Sequence, residues 1–195
     1  MLSICIPVYN FIISDLVLTL QRQIQLYSLD AEIIVIDDGS GGSIAIANQF
    51  ANTNNTRYIV LPKNVGRSKV RNHFLQFAKG DYLLFLDCDG KITNQDFLKI
   101  YCNYIAEKKP IVIYGGRVLP DNLPSNDYKL RWNFAMQREN LSLEKRLLKP
   151  YRSFQTNNFV VRKNVFAEFN FNENLNQYGY EDLLFAMDLK YISGI

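Results

Sequence analysis

The sequence predicts an α/β fold, a mainly parallel sheet with helices on both faces. Three observations predict it. Short apolar runs alternate with segments of helical spacing through the first half of the chain. Those runs are continuously apolar, as in strands buried on both faces, rather than alternating apolar and polar. Two of them end in paired aspartates, Asp37-Asp38-Gly39-Ser40 and Asp87-Cys88-Asp89-Gly90. Acidic residues where a buried strand ends mark the sheet edge at which open α/β proteins bind ligands.

The elements follow in order. Leu2–Val8 is a short apolar strand. Asp15–Leu26 repeats Leu16, Leu20 and Ile24 at helical spacing. Glu32–Ile36 is a β-branched run, Ile44–Phe50 a helix and Arg57–Leu61 a strand. Ser68–Ala78 is a helix that Gly80 is expected to close as the residue past its C-terminus. Tyr82–Leu86 is a strand and Asn94–Tyr104 a helix. This alternation, with right-handed crossovers, brings every strand-to-helix loop to one edge. Beyond it, Ile111–Tyr114 reads as a strand and 120–128, with Pro120 and Pro124, as a loop. Tyr128–Glu139 reads as a helix, Asn157–Arg162 as a strand, and Asp182–Tyr191 as the start of a helix. The whole forms one domain, a binding half over 1–115 and a second half over 116–195. The chain stops soon after a helix has begun, which reads as a fragment of a longer protein.

Composition narrows the function classes. The 195 residues suffice for a real core, and 48% of them are hydrophobic, which excludes disorder. A net charge of +3 does not point to nucleic acid. Cys5, Cys88 and Cys102 form no CxxC pair, so neither a disulfide framework nor a zinc site is indicated. The N-terminus lacks the features of a signal peptide, and the expected location is cytoplasmic. The basic stretch Lys145–Arg152, with Leu147, Leu148 and Tyr151, suits contact with an anionic membrane surface and equally a solvated helix end. His73 reads as a packed or surface residue.

The paired acids carry the chemistry. In an extended segment, residues i and i+2 share a face, so Asp87 and Asp89 can address one metal ion. A hard divalent cation, Mg²⁺ or Mn²⁺, relieves their repulsion and bridges carboxylates to phosphates. A plain Asp-Gly turn is the alternative. Asp37 ends a buried run and needs a donor, for which a nucleobase N–H or a ribose hydroxyl would serve. Asp38 and Ser40 suit either ligand binding or the start of the next helix. In Asn64-Val65-Gly66-Arg67-Ser68-Lys69-Val70-Arg71-Asn72, a glycine opens a helix rich in cations, a pattern that favours phosphate. Gln155-Thr156-Asn157-Asn158 suits either a sugar contact or a turn.

Val8-Tyr9-Asn10, Val35-Ile36-Asp37-Asp38-Gly39-Ser40, Asn64-x-Gly66 with Arg71-Asn72, and Leu86-Asp87-x-Asp89 resemble, in order and spacing, family 2 inverting glycosyltransferases of the GT-A fold. The resemblance covers the first 115 residues. It implies a Rossmann-like nucleotide-sugar-binding half followed by an acceptor half. It implies that Pro7, Tyr9 and Asp37 hold the nucleotide base near Arg71, with Asp38, Asn64 and Gly66 in the same donor site. Asp87 would contact ribose or the metal's surroundings, and Asp89 would bind Mn²⁺ or Mg²⁺. Gly179-Tyr180-Glu181-Asp182 resembles the Gly-x-Glu-Asp segment of polysaccharide-synthesising members. There the aspartate is the general base and the glutamate binds the acceptor, which gives those roles to Asp182 and Glu181. The implied donor is a nucleotide-sugar, uridine-based, and the acceptor a glycan or a lipid-linked sugar.

Two other readings compete. Phe85-Leu86-Asp87-Cys88-Asp89-Gly90-Lys91-Ile92-Thr93 also resembles the nucleophile loop of haloacid-dehalogenase-type phosphatases. That family usually carries the loop on its first strand, whereas three strand-like segments precede it here. A non-catalytic nucleotide-binding module leaves Glu181 and Asp182 without a purpose.

Overall fold

The computed structural model describes residues 1–53, 55–119, 125–175 and 179–193. Within them lie strands β1 (Leu2–Val8), β2 (Ala31–Asp37), β3 (Thr56–Val60), β4 (Tyr82–Leu86), β5 (Val112–Tyr114) and β6 (Asn158–Arg162). The helices are α1 (Ser14–Leu26), α2 (Gly42–Asn48), α3 (Arg67–Phe77), α4 (Phe97–Lys108), α5 (Asn126–Arg138), α6 (Leu143–Leu148), α7 (Pro150–Ser153), α8 (Lys163–Glu168) and α9 (Glu181–Ser193).

The strands form one sheet in the order β3-β2-β1-β4-β6-β5. β1 pairs in parallel with β2 and β4, and β2 with β3. β6 runs antiparallel to both β4 and β5. The second half of the chain therefore inserts a strand between two strands of the first half.

The continuous apolar runs are buried on both faces. Ile4, Ile6, Leu84 and Leu86 pack against Leu16, Val17 and Leu20 of α1 and Leu98 of α4. Cys5, Ile34, Leu83 and Phe85 point to the other face, onto Val70 and Phe74 of α3 and Phe185 of α9. That second face is aromatic. Phe85 and Phe159, register partners on β4 and β6, stack at 4.8 Å. Phe171 and Phe185 stack at 4.5 Å.

Four expectations change. Gly80 does not end α3, which closes at Ala78 in an extended conformation. A Cβ on Gly80 would lie 2.7 Å from the Met1 carbonyl oxygen and the Ser3 nitrogen, so glycine permits a close backbone approach there. α4 begins at Phe97 rather than Asn94, because buried Gln23 of α1 takes over its first turn. Gln23 accepts from the Leu98 N–H at 2.9 Å and donates to the Asn94 carbonyl at 2.9 Å. Residues 126–128 are already helical, while 120–124 of the expected loop lie outside the described residues. Helices α6, α7 and α8 were not expected. Ser142 caps the first of them, accepting from the Lys145 N–H.

Candidate active site

β1, β2 and β4 end at the same edge of the sheet, as their parallel registers require. β6 begins there, opposite Leu86. The loops at this edge hold one another.

Asp37 is fully buried. Its Oδ1 accepts from the Ser40 N–H at 2.7 Å and its Oδ2 from the Tyr58 hydroxyl at 2.5 Å. The donors that burial demands are thus supplied from within the protein. Burial, with the Asp37 hydrogen bond, holds the Tyr58 phenol well above its usual pKa. Asp38 is also buried and accepts from the Val65 and Gly66 N–H groups at 2.7 and 3.0 Å. Burial pushes its pKa up, and those two N–H bonds oppose the rise. Neither Asp38 nor Ser40 caps α2, whose N-cap is Gly41. Instead Asp38 fastens the loop before α3, and Ser40 Oγ accepts from the Asn10 N–H at 2.7 Å. Gly39, at φ +78°, lies so close to that loop that a Cβ would meet the Asn64 nitrogen at 2.7 Å.

Two arginines of α3 pair with acids on either side of it, one in each half of the chain. Arg71 is buried, and its Nη2 pairs with Asp87 Oδ1 at 2.9 Å. Burial lowers its pKa, and Asp87 opposes that change. Arg67 Nε pairs with Glu181 Oε1 at 2.7 Å. Asn72, adjacent to Arg71, exchanges hydrogen bonds with the Phe171 backbone at 2.9 and 3.0 Å.

Asp87 and Asp89 are not in one extended segment. The chain turns at Cys88-Asp89, closed by the Gly90 N–H donating to the Asp87 carbonyl at 3.2 Å. The i, i+2 face argument therefore does not apply, although both aspartates line the same cleft. Asp87 is partly buried and tied to Arg71; Asp89 is exposed. Burial lifts the Cys88 thiol to about 11, and the Tyr9 backbone interacts with it, which sets Tyr9 beside this turn.

The cleft has a volume of about 1660 Å³. It runs from Arg67, Asp87 and Asp89 past Asn157 to Arg117 and Arg146. Pro7, Tyr9, Asp37, Asp38, Asn64, Gly66, Arg71, Glu181 and Asp182 are not part of its lining. Pro7 is half-buried in β1 opposite Ile36, and Asn64 is exposed. Among the described residues, buried polar atoms of Arg117, Arg146 and Asn157 have no hydrogen-bond partner. All three residues line the cleft, as expected of a site that takes a polar ligand.

Gly179 and Tyr180 lead into α9 with φ of +112° and +67°. Tyr178 lies outside the described residues. Glu181 is buried against Arg67. Asp182 accepts from the Leu183 N–H at 2.8 Å. Burial raises its pKa, and the neighbouring Glu181 charge adds to the rise.

A family model for glycosyl transferase family 2 matches residues 3–169. The chain belongs to glycosyl transferase family 2. A cholesterol galactosyltransferase of Borreliella burgdorferi is 31% identical over 175 residues, covering 82% of this chain and 47% of that protein. Staphylococcus aureus TarS 1-349 in complex with UDP aligns with a TM-score of 0.67 at 24% identity, over 95% of this chain and 54% of that one. The mannosyltransferase PcManGT of Pyrobaculum calidifontis, in complex with GDP-Man and Mn²⁺, aligns with a TM-score of 0.62 at 14% identity, over 98% and 52%. These two structures bear on the fold, which is GT-A. The chain spans about half the length of the curated relatives first matched.

The residues fit a divalent cation of the kind the family uses. Mg²⁺ and similar ions are held by one or two carboxylates and complete their shell with substrate phosphates and water. Asp89, exposed in the cleft, with Asp87 adjoining, is such a donor set. Among the described residues, no group of three or more His, Cys, Asp or Glu that could hold a metal ion occurs.

Several residues of the site went unread in the sequence. Tyr58 carried no signal beyond its type, and Arg67, read among the cations at the start of α3 that favour phosphate, pairs with Glu181. Arg117 and Arg146 lie in the second half, where only the Lys145–Arg152 charge run hinted at a role. Asn157 was read as one of two alternatives, a sugar contact or a turn; the chain turns at Thr156-Asn157, and Asn157 lines the cleft.

Proposed function

We propose that this chain is the donor-binding and catalytic part of a glycosyltransferase. It moves a sugar from a nucleotide-diphospho-sugar, uridine-based, to a hydroxyl of a glycan or lipid-linked acceptor with inversion, in cell-surface polysaccharide synthesis. The observation that carries the proposal is the Asp87–Asp89 turn on a cleft at the sheet edge, with Arg71 of α3 paired to Asp87 and Arg67 of the same helix paired to Glu181 of the second half.

The roles follow from position. The β1 and β2 ends, with Pro7, Tyr9, Asp37, Asp38, Asn64 and Gly66, form the nucleotide side. Asp37 and Asp38 act there by holding Tyr58 and the loop before α3 in shape. Arg71 orients Asp87 toward the ribose. Asp89, with Asp87 adjoining, would hold a divalent cation, Mn²⁺ or Mg²⁺, which when bound would supply positive charge opposite the diphosphate leaving group. Asn157 hydrogen-bonds the donor sugar. Residues 1–115 thus serve the donor, and 116–195 the acceptor and the base.

Asp182 is the base. The acceptor oxygen attacks the anomeric carbon, its proton passes to the Asp182 carboxylate, and the bond to the nucleoside diphosphate breaks with its electron pair leaving on phosphate. Glu181 is engaged by Arg67, so it meets the acceptor only by sharing that pairing. TarS with UDP and PcManGT with GDP-Man and Mn²⁺ support a nucleotide-linked donor and a metal.

The test is Asp182→Asn at the protein's native length. Transfer is expected to fall about 10²–10⁴-fold, with donor affinity measured by calorimetry unchanged. Turnover within a few-fold of wild type removes Asp182 as the base and makes Glu181 the next candidate.

A further inference from the structure

α5 and α6 each present two chemistries. Toward the cleft they contribute Arg131, Ala135 and Arg146. Toward solvent they expose Tyr128, Leu130, Phe134, Leu143, Leu147 and Leu148, with Leu130 84% and Leu148 81% exposed. No residue of α6 is buried, and Ala135 is the one buried residue of α5. Large apolar side chains concentrated on consecutive surface helices mark an interaction surface.

Charge indicates what covers it. Residues 126–152 hold seven Lys or Arg against three Asp or Glu, a net +4, while the whole chain carries +3. The rest of the chain is therefore slightly acidic. Lys129, Lys145, Lys149 and Arg152 are exposed among the apolar residues. A second copy meeting this face with its own would bring like charges together. An acidic soluble protein would satisfy the cations but has no particular need of six aliphatic and aromatic side chains.

We propose that the α5–α6 face docks on an anionic lipid bilayer, the leucines and aromatics entering the headgroup boundary and the lysines pairing with lipid phosphates. Among the described residues no helix is long and apolar enough to cross a membrane, so this element lies on the surface rather than spanning it. Docking there brings the cleft to the bilayer, because the same helices line both. The surface stands independently of the transfer reading. That it delivers a lipid-linked acceptor to Asp182 rests on that reading.

The experiment is co-sedimentation of the chain with vesicles of pure phosphatidylcholine and vesicles enriched in phosphatidylglycerol, at low and high salt. Calorimetric UDP binding is measured in parallel, so that loss of the donor site is seen separately. Partition onto the phosphatidylglycerol vesicles, reversed by salt, is expected. Lys145→Glu with Lys149→Glu is expected to weaken it about tenfold or more. Leu130→Ser with Leu148→Ser is expected to weaken it similarly, with melting temperature and UDP affinity unchanged, since these side chains are exposed. Three results overturn the proposal. The chain stays in the supernatant with both lipids, or it binds both equally regardless of salt. Alternatively, light scattering finds a dimer that Leu130→Ser dissociates, in which case a second copy covers the face.

Discussion

Asp37 and Asp38 are adjacent in sequence yet do different work. Asp37 holds the Ser40 amide and the Tyr58 hydroxyl; Asp38 holds the Val65 and Gly66 amides. Between their loops there is no room for a side chain at Gly39. Gly39→Ala would force a positive φ and set its Cβ 2.7 Å from backbone that cannot step aside. It is expected to destabilise the fold by about 1–3 kcal/mol in urea unfolding. Stability equal to wild type would mean that the loop before α3 is not held by this contact. Asp182 gives a pH signature. The proposed base must be charged to accept a proton, and burial raises the pKa of Asp182. The acid limb of transfer is therefore expected above the ordinary aspartate range, with the rate falling as pH drops through it. A limb at an ordinary aspartate value in a pH–rate profile contradicts the role. That Asp37 must find a donor was legible in the sequence, because a carboxylate ending a buried strand is costly unpaired. That Tyr58 supplies it was not, because β3 meets β2 only through the sheet.

At the scale of elements, the β4–β6 pair joins the two halves. Phe85 stacks on Phe159 and packs beside Phe74 and Phe166. Phe159→Ala removes a fully buried ring from this cluster and is expected to cost about 3–5 kcal/mol, read as a lowered urea midpoint. A change within error would mean the halves are joined elsewhere. The parallel strands and α1, α3 and α4 were legible because each has a long periodic or apolar pattern. The direction of β6 was not, since a buried run reads the same whichever way it pairs. Helices α6 to α8 are too short to show a period; isolated helices of that length are marginal and owe their form to tertiary packing. Gly80 shows the same limit. A glycine just past a helix suggests a cap, but its use here is contact with the start of β1.

Across the whole molecule, one sheet edge gathers the ends of β1, β2 and β4 and the start of β6. The α3 arginines extend it to α9: Arg71 reaches Asp87 and Arg67 reaches Glu181. That the four motifs of the first half meet at one edge was legible because parallel strands send their C-terminal loops to the same side. The cleft walls from α5 and α6 were not, since their exposed faces carry no donor-site pattern. The central claim is that this edge binds a nucleoside diphosphate through a divalent cation at Asp89. Calorimetry of UDP with the chain, in Mn²⁺ and in chelator, for wild type and Asp89→Ala, tests it most directly. Binding that requires Mn²⁺ and is lost or strongly weakened in Asp89→Ala is the expected result. The same affinity in chelator, or in the variant, would contradict it.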